Sequence, residues 1–226
     1  MADSELQLSF PAGAHAGLVS ALLLAPRPAR HLMVLAHGAG AGMRHPFMAA
    51  LAQALADRGV ASLRYQFPYM EQRSGRPDPQ PVLLATVREA VAAAGRAAPG
   101  LALIAGGKSM GGRMTTLAAA AEPLPAVRGI ALLGFPLHPA GSPGTSRAQH
   151  LTSVPVPMLF LQGTRDALAN LELLRPILQG LGERATLKAI EGADHSFHVL
   201  KRSGTTDPAV LALLAESVAV WADRLK

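Results

Sequence analysis

Short, continuously apolar runs alternate with stretches of helical period along almost the whole chain. That alternation restricts the fold more than any other feature. Glu5–Phe10 and Leu18–Leu24 predict an opening antiparallel pair of strands. Further strands are predicted at Leu32–Ala36, Val60–Tyr65, Leu101–Gly106, Val127–Leu133, Met158–Leu161 and Ala185–Ile190. Between them, helical patterns cover Pro46–Asp57, Val82–Ala98, Gly112–Ala121, Leu171–Leu181 and Pro208–Leu225. In the last of these, Val210, Leu213, Leu214, Val218 and Trp221 are expected to form one apolar stripe. Strands that are apolar on both faces belong in a parallel sheet covered on both sides by helices. The expected fold class is therefore α/β, with a mostly parallel central sheet. The 226 residues contain no internal repeat and no linker, so one domain spanning residues 1–226 is expected.

Composition removes several function classes. The chain has no cysteine, which excludes disulfides, thiolate metal sites and a cysteine nucleophile, and fits a reducing compartment. The net charge is +6, but the arginines are scattered without aromatic interleaving, so no nucleic-acid partner is expected. The early residues Asp3 and Glu5 are acidic where a secretory signal needs Lys or Arg, and no run reaches the roughly 20 residues needed to span a bilayer. The expected setting is the cytoplasm, with no membrane partner.

In sheets of this kind ligands bind beyond the carboxyl ends of the strands. Those positions hold the reactive residues. After 32–36 comes His37-Gly-Ala-Gly-Ala-Gly42, and after 101–106 comes Gly107-Lys-Ser-Met-Gly111. After 158–161 comes Gln162-Gly-Thr-Arg-Asp166, and after 185–190 comes Glu191-Gly-Ala-Asp-His195.

Gly-x-Ser-x-Gly between a strand and a helix is the pattern of a nucleophile elbow, a turn so tight that only glycine fits two positions either side of the serine. A serine hydroxyl needs a base to take its proton. Histidine can take it and return it to the leaving group, and a carboxylate fixes the histidine tautomer. Serine, aspartate and histidine follow here in chain order, each past a separate strand. Ser109 is accordingly the candidate nucleophile, His195 the general base and acid, and Asp166 the orienting carboxylate. His198 and Asp194 are rivals for the last two roles. Taken singly, each residue also has an ordinary explanation as a turn, cap or surface residue.

A tetrahedral intermediate needs two N–H donors. The backbone of Met110 is one candidate. The other comes from the glycine-rich loop, at Ala39 or Gly40. Candidate substrate contacts are His37, Arg64, Tyr65 and His138. With no large insertion after residue 133, the rim is expected from 66–80 and 134–153, around an open, shallow site suited to small or short-chain esters. No metal or organic cofactor is expected, because the paired histidines 37/45 and 195/198 have no matching carboxylate set.

Two phosphate-binding patterns fail on spacing. Gly107-Lys108-Ser109 would need glycine at 102, where alanine stands. A dinucleotide fingerprint starting at Gly38 or Gly40 would need its third glycine at Met43 or His45.

Together these stretches resemble the small, capless α/β-hydrolases. With Leu63-Arg-Tyr-Gln-Phe-Pro68, Gly106–Arg113 and Leu133-Gly-Phe-Pro-Leu-His-Pro139, the chain is similar to the dienelactone-hydrolase-like group, and most closely to its testis-expressed-30-like (KANL/Tex-like) branch. The resemblance implies an α/β-hydrolase fold. Dienelactone hydrolases use a cysteine nucleophile, which this chain lacks. The expected function is a serine hydrolase, a carboxylesterase acting on small or short-chain esters through an acyl-enzyme on Ser109. A thioesterase or acyltransferase would use the same residues. A non-catalytic scaffold for a protein partner is the alternative from a different class, because relatives of the branch serve in protein assemblies.

Overall fold

The computed structural model describes residues 5–14 and 16–225. Asp3, used above against a signal segment, lies outside them, as do the other residues of 1–4, residue 15 and residue 226.

Eight strands form one sheet in the order β1-β2-β4-β3-β5-β6-β7-β8. They are β1 (Leu6–Pro11), β2 (Leu18–Leu24), β3 (His31–Ala36), β4 (Val60–Tyr65), β5 (Ala102–Lys108), β6 (Val127–Leu133), β7 (Met158–Gly163) and β8 (Ala185–Ile190). β1 with β2, and β2 with β4, pair antiparallel; every other pair is parallel. The helices are α1 (Pro46–Ala56), α2 (Pro68–Glu71), α3 (Gln80–Ala97), α4 (Met110–Ala121), α5 (Leu171–Gly180) and α6 (Asp207–Ala222).

The apolar strands sort their side chains by parity, as the period of two requires. Leu32, Val34 and Ala36 of β3, Ile130 and Leu132 of β6, and Met158 and Phe160 of β7 enter one core. It is closed by Val87 and Val91 of α3, Met114 and Ala118 of α4, and Leu174 of α5. Met33 and Leu35, Ala131 and Leu133, and Leu159 and Leu161 enter the other core. There Leu51 and Leu55 of α1 meet Leu214, Val218 and Trp221 of α6. Both faces of the sheet are thus dry, which is why these strands carry no polar alternation.

The chain runs from β3 to β4 on one side, then crosses to β5 on the other. The strand order reverses between β3 and β5, and the loops leaving them diverge there to leave a crevice. Ala36 lies in register with Gly107, so the glycine-rich loop and the serine turn start side by side.

Two spans expected to form the rim contain regular structure, and one residue of the expected α6 stripe turns outward. Residues 66–80 contain the short helix α2, begun by Pro68, whose fixed φ suits a first helical position. The span 134–155 contains a 3₁₀ segment, Ser146–Ser153. Leu213 leaves the expected α6 stripe and is 39% exposed. The buried positions 210, 214, 218 and 221 follow the helical period, and Leu213 sits about 100° away from Leu214 around the helix. No helix among the described residues is long and apolar enough to cross a membrane.

The two adjacent leucines of α6 supply a test. Leu214→Ala should cost roughly 2–5 kcal/mol, since its side chain is fully buried. Leu213→Ala should stay within about 0.5 kcal/mol. Denaturant midpoints at constant m-value measure both; equal losses would contradict the facing of α6.

Candidate active site

Strand β5 runs straight into α4, and Ser109 is the only residue between them. Its backbone lies at φ 51° and ψ −118°, a left-handed φ that is uncommon for a residue with a Cβ. Two bonds clamp it there. The Ser109 N–H donates to Leu133 O at 3.0 Å, and the Arg113 N–H donates to Ser109 O at 3.1 Å. Space dictates the flanking glycines. A Cβ on Gly111 would stand 2.5 Å from His37 O and 2.7 Å from Ala36, and one on Gly107 would collide with the Ala36 carbonyl. The turn is pressed backbone to backbone against the end of β3.

The Ser109 hydroxyl lies 2.8 Å from His195 Nε2. His195 Nδ1 lies 2.7 Å from Asp166 Oδ2. The Asp166 side chain is fully buried and takes two further hydrogen bonds: Gln162 Nε2 donates to Oδ2 at 2.6 Å, and the Leu168 N–H donates to Oδ1 at 2.8 Å. A carboxylate so placed calls for a proton on Nδ1, which leaves Nε2 free to accept from the serine. The rivals are occupied elsewhere. Asp194 Oδ1 caps the N–H groups of Ser196 and His198, and His198 Nδ1 pairs with Asp207 at 2.8 Å.

Met110 opens α4, so its N–H has no partner from a preceding helical turn. Gly38, Ala39 and Gly40 wall the cleft facing Ser109. Their loop is held from outside by the Tyr69 hydroxyl, which donates to Ala39 O at 2.7 Å, and from within by the Ala41 N–H, which donates to Gly38 O at 3.2 Å. The cleft in front of Ser109 has a volume of about 340 Å³. His45, Phe47 and Met48 from the start of α1, Lys108, His195 and Ser196 complete its walls.

The rim expected from 66–80 and 134–153 is therefore corrected. No residue of those loops lines the cleft, which is walled by 38–41, the start of α1, 108–109 and 195–196. The four candidate substrate contacts are corrected with it. His37 is fully buried, with Nδ1 donating to Gly38 O at 2.8 Å and Nε2 accepting from the Phe67 N–H at 3.1 Å. Arg64 is buried under the glycine-rich loop, donating to Met43 O at 3.1 Å and pairing with Glu5. Tyr65 is buried among Phe10 and Phe67, and desolvation pushes its hydroxyl pKa far up. His138 donates from Nδ1 to Pro139 O at 2.8 Å and accepts at Nε2 from the Asn170 N–H at 2.9 Å. His37, Arg64 and His138 brace the loops around the site and Tyr65 packs in the core; none of the four lines the cleft.

Lys108 is the one ammonium in the cleft wall. Burial pushes its pKa down to about 8, against the opposing pull of Asp166 and Asp194. Its Nζ lies 5.6 Å from the centre of the Phe197 ring.

With this geometry in place, likeness to known proteins can be weighed. The alpha/beta hydrolase domain family matches residues 29–223. The chain belongs to that family. Among solved structures it is similar to a dienelactone hydrolase from Anabaena variabilis, at 22% identity and a TM-score of 0.75, with 98% of each chain covered. The protein XC6422 from Xanthomonas campestris, described as an α/β serine hydrolase without a lid, is 19% identical with a TM-score of 0.73 over 98% of this chain and 96% of the other. The esterase domain of a Rhodothermus marinus protein is 18% identical with a TM-score of 0.70 over 98% and 99%. At these identities the likeness is one of fold. The hydrolase keeps that fold with no separate cap among its described residues.

Gln162, Phe47, Met48 and Ser196 were not among the sequence candidates. Only Gln162 carries a local signal, four residues before Asp166.

His37 gives a pH test. Burial lowers its pKa from 6.5 to about 4, opposed by its bond to Gly38 O. The unfolded chain thus binds this proton first as pH falls. The stability it contributes is complete above about 6.5 and is lost as pH drops towards 4, by up to roughly 3 kcal/mol. His150, lowered to about 4 by burial and by Arg113, acts in the same direction. Melting temperature should fall across this window, and His37→Asn should flatten the fall. An unchanged slope in that variant would remove His37 from the account.

Proposed function

We propose that this α/β-hydrolase is a serine carboxylesterase acting on small-molecule esters through an acyl-enzyme on Ser109. One observation carries the reading: a continuous hydrogen-bonded chain from the Ser109 hydroxyl through His195 to the buried Asp166, at 2.8 and 2.7 Å, opening on a cleft.

His195 Nε2 takes the serine proton as Oγ attacks the ester carbonyl. The carbonyl oxygen becomes an oxyanion, received by the N–H of Met110 and an N–H of the glycine-rich loop, Ala39 or Gly40. As the intermediate collapses, the C–O bond to the alcohol breaks and His195 gives its proton to the leaving oxygen. Water then enters. His195 deprotonates it as its oxygen bonds to the acyl carbon; when the second tetrahedral intermediate collapses the bond to Ser109 Oγ breaks, His195 returns the proton to Oγ, and a carboxylic acid is released. Asp166 stays ionised throughout and balances the imidazolium. Gln162 holds Asp166 in place and is a positioning residue.

The cleft volume of about 340 Å³ suits a small acyl group. A thioester would use the same steps. An acyl acceptor other than water would turn the hydrolase into a transferase. Membership of the testis-expressed-30-like branch rests on the sequence motifs, and a cytoplasmic setting on composition and the acidic early residues. The scaffold alternative has no observation in its favour, since binding a partner requires neither the strained serine nor its hydrogen-bonded chain.

Labelling with a fluorophosphonate and hydrolysis of p-nitrophenyl acetate test the reading. Wild type should be labelled at Ser109, and Ser109→Ala should lose turnover by on the order of 10⁴-fold or more. His195→Ala should abolish labelling as well. Absence of labelling together with serine-independent turnover would sink the proposal and bring the scaffold reading forward.

A further inference from the structure

The first turn of α1 and the first turn of α6 lie side by side and leave a furrow. Proline opens both helices, at 46 and 208, so each begins abruptly and presents its next turn outward. Pro46, Phe47 and Ala50 form one bank, and Pro208 and Leu211 the other. Ser196 and Phe197 form the floor between them. The furrow has a volume of about 580 Å³. Its one acid, Asp207, is already engaged by His198 Nδ1 at 2.8 Å and by the Val199 N–H at 2.9 Å. Apart from Ser196, the side chains that remain are apolar.

Two residues tie this furrow to the catalytic cleft. Phe47 and Ser196 line both. Phe47 is held in place by stacking on Phe197, with ring centres 5.9 Å apart and planes 10° from parallel. Phe197 itself adopts φ 63°, a left-handed conformation that a bulky aromatic seldom takes, so packing fixes this floor at some cost in backbone strain.

Reaction geometry decides which half of an ester would reach the furrow. The leaving oxygen must receive its proton from His195 Nε2, so the alcohol half lies on the histidine side of Ser109. The carbonyl oxygen points towards the oxyanion loop at 38–40. The residue after His195 is Ser196, the shared wall. An alcohol arm leaving the site therefore runs past Ser196 and Phe47 into the furrow.

We infer that the furrow is a leaving-group subsite and that the substrates are esters joining a small acid to an extended apolar alcohol, with Phe47 setting the preference. This rests on the serine-esterase reading and adds to it the identity of the long arm.

Hexyl acetate and methyl heptanoate have one molecular formula with the arms exchanged, which cancels overall hydrophobicity. Acid release should give wild type a kcat/KM for hexyl acetate at least on the order of tenfold above that for methyl heptanoate. Ala50→Trp fills the furrow from an exposed position and should bring the ratio towards one. The ratio is the readout, so a loss common to both esters cancels. Should Ala50→Trp fail to fold by circular dichroism, Leu211→Trp fills the furrow from the opposite bank. Serine-dependent turnover with a ratio near one or below it in wild type would overturn the subsite and leave the esterase reading standing. So would a tenfold ratio that neither tryptophan alters, or a flat ratio with a dimer that Ala50→Trp dissociates. Turnover of both esters that survives in Ser109→Ala, or none in wild type, would overturn the esterase reading and the subsite with it.

Discussion

The site depends on backbone meeting backbone. Gly107 and Gly111 press against Ala36 and His37, with no side chain between. That contact brings the ends of β3 and β5 close enough for one loop to offer N–H groups over a serine held by the other. It also leaves Ser109 in a left-handed conformation that no local preference would choose. The cost is met by the sheet. β3 and β5 are paired along their length, and the residues around the contact belong to cores buried on both faces. A strained serine is tolerable because it is attached to the most rigid part of the molecule.

Around the contact, polar groups that look reactive in sequence are consumed as struts. His37 links the loop after β3 to the loop after β4 by accepting from Phe67 while donating to Gly38. Arg64 reaches the same loop through Met43. His138 ties the loop after β6 to the start of α5 through Asn170. Each is buried, so its hydrogen bonds are made internally; His37 and His138 use both ring nitrogens in this way, while the Arg64 Nε–H is left without a partner. Only His195 points its free nitrogen at Ser109.

These struts explain what was legible in the sequence and what was not. The central strand positions were plain because a doubly covered sheet demands unbroken apolar runs, and Val60–Tyr65 and Val127–Leu133 matched to the residue; Ala185–Ile190 also matched, though as an edge strand with Thr186 and Lys188 exposed. β5 ran two residues further than expected, through Gly107 and Lys108, because its pairing with β3 and β6 is a matter of backbone and not of apolar side chains. Chain order and strand ends pointed to Ser109, Asp166 and His195, and the three meet. Depth did not show. Arg64 and Tyr65 end a strand on alternate faces, yet both faces are buried, so neither reaches the cleft. Phe47 and Ser196 carry no motif; they gain their place from how α1 and α6 pack, which no local pattern encodes.

The long loops 66–79 and 134–157 line no part of the cleft, which is walled by short segments anchored in the sheet and in α1. No described element folds over Ser109. An open cleft of this kind offers reactants direct access, where a lid would have to open first. The same openness lets bulk solvent screen the charges that an enclosed site would exploit. Catalytic power must then come from how rigidly the few donors and the imidazole are held, a role the buried struts around the cleft are built to fill.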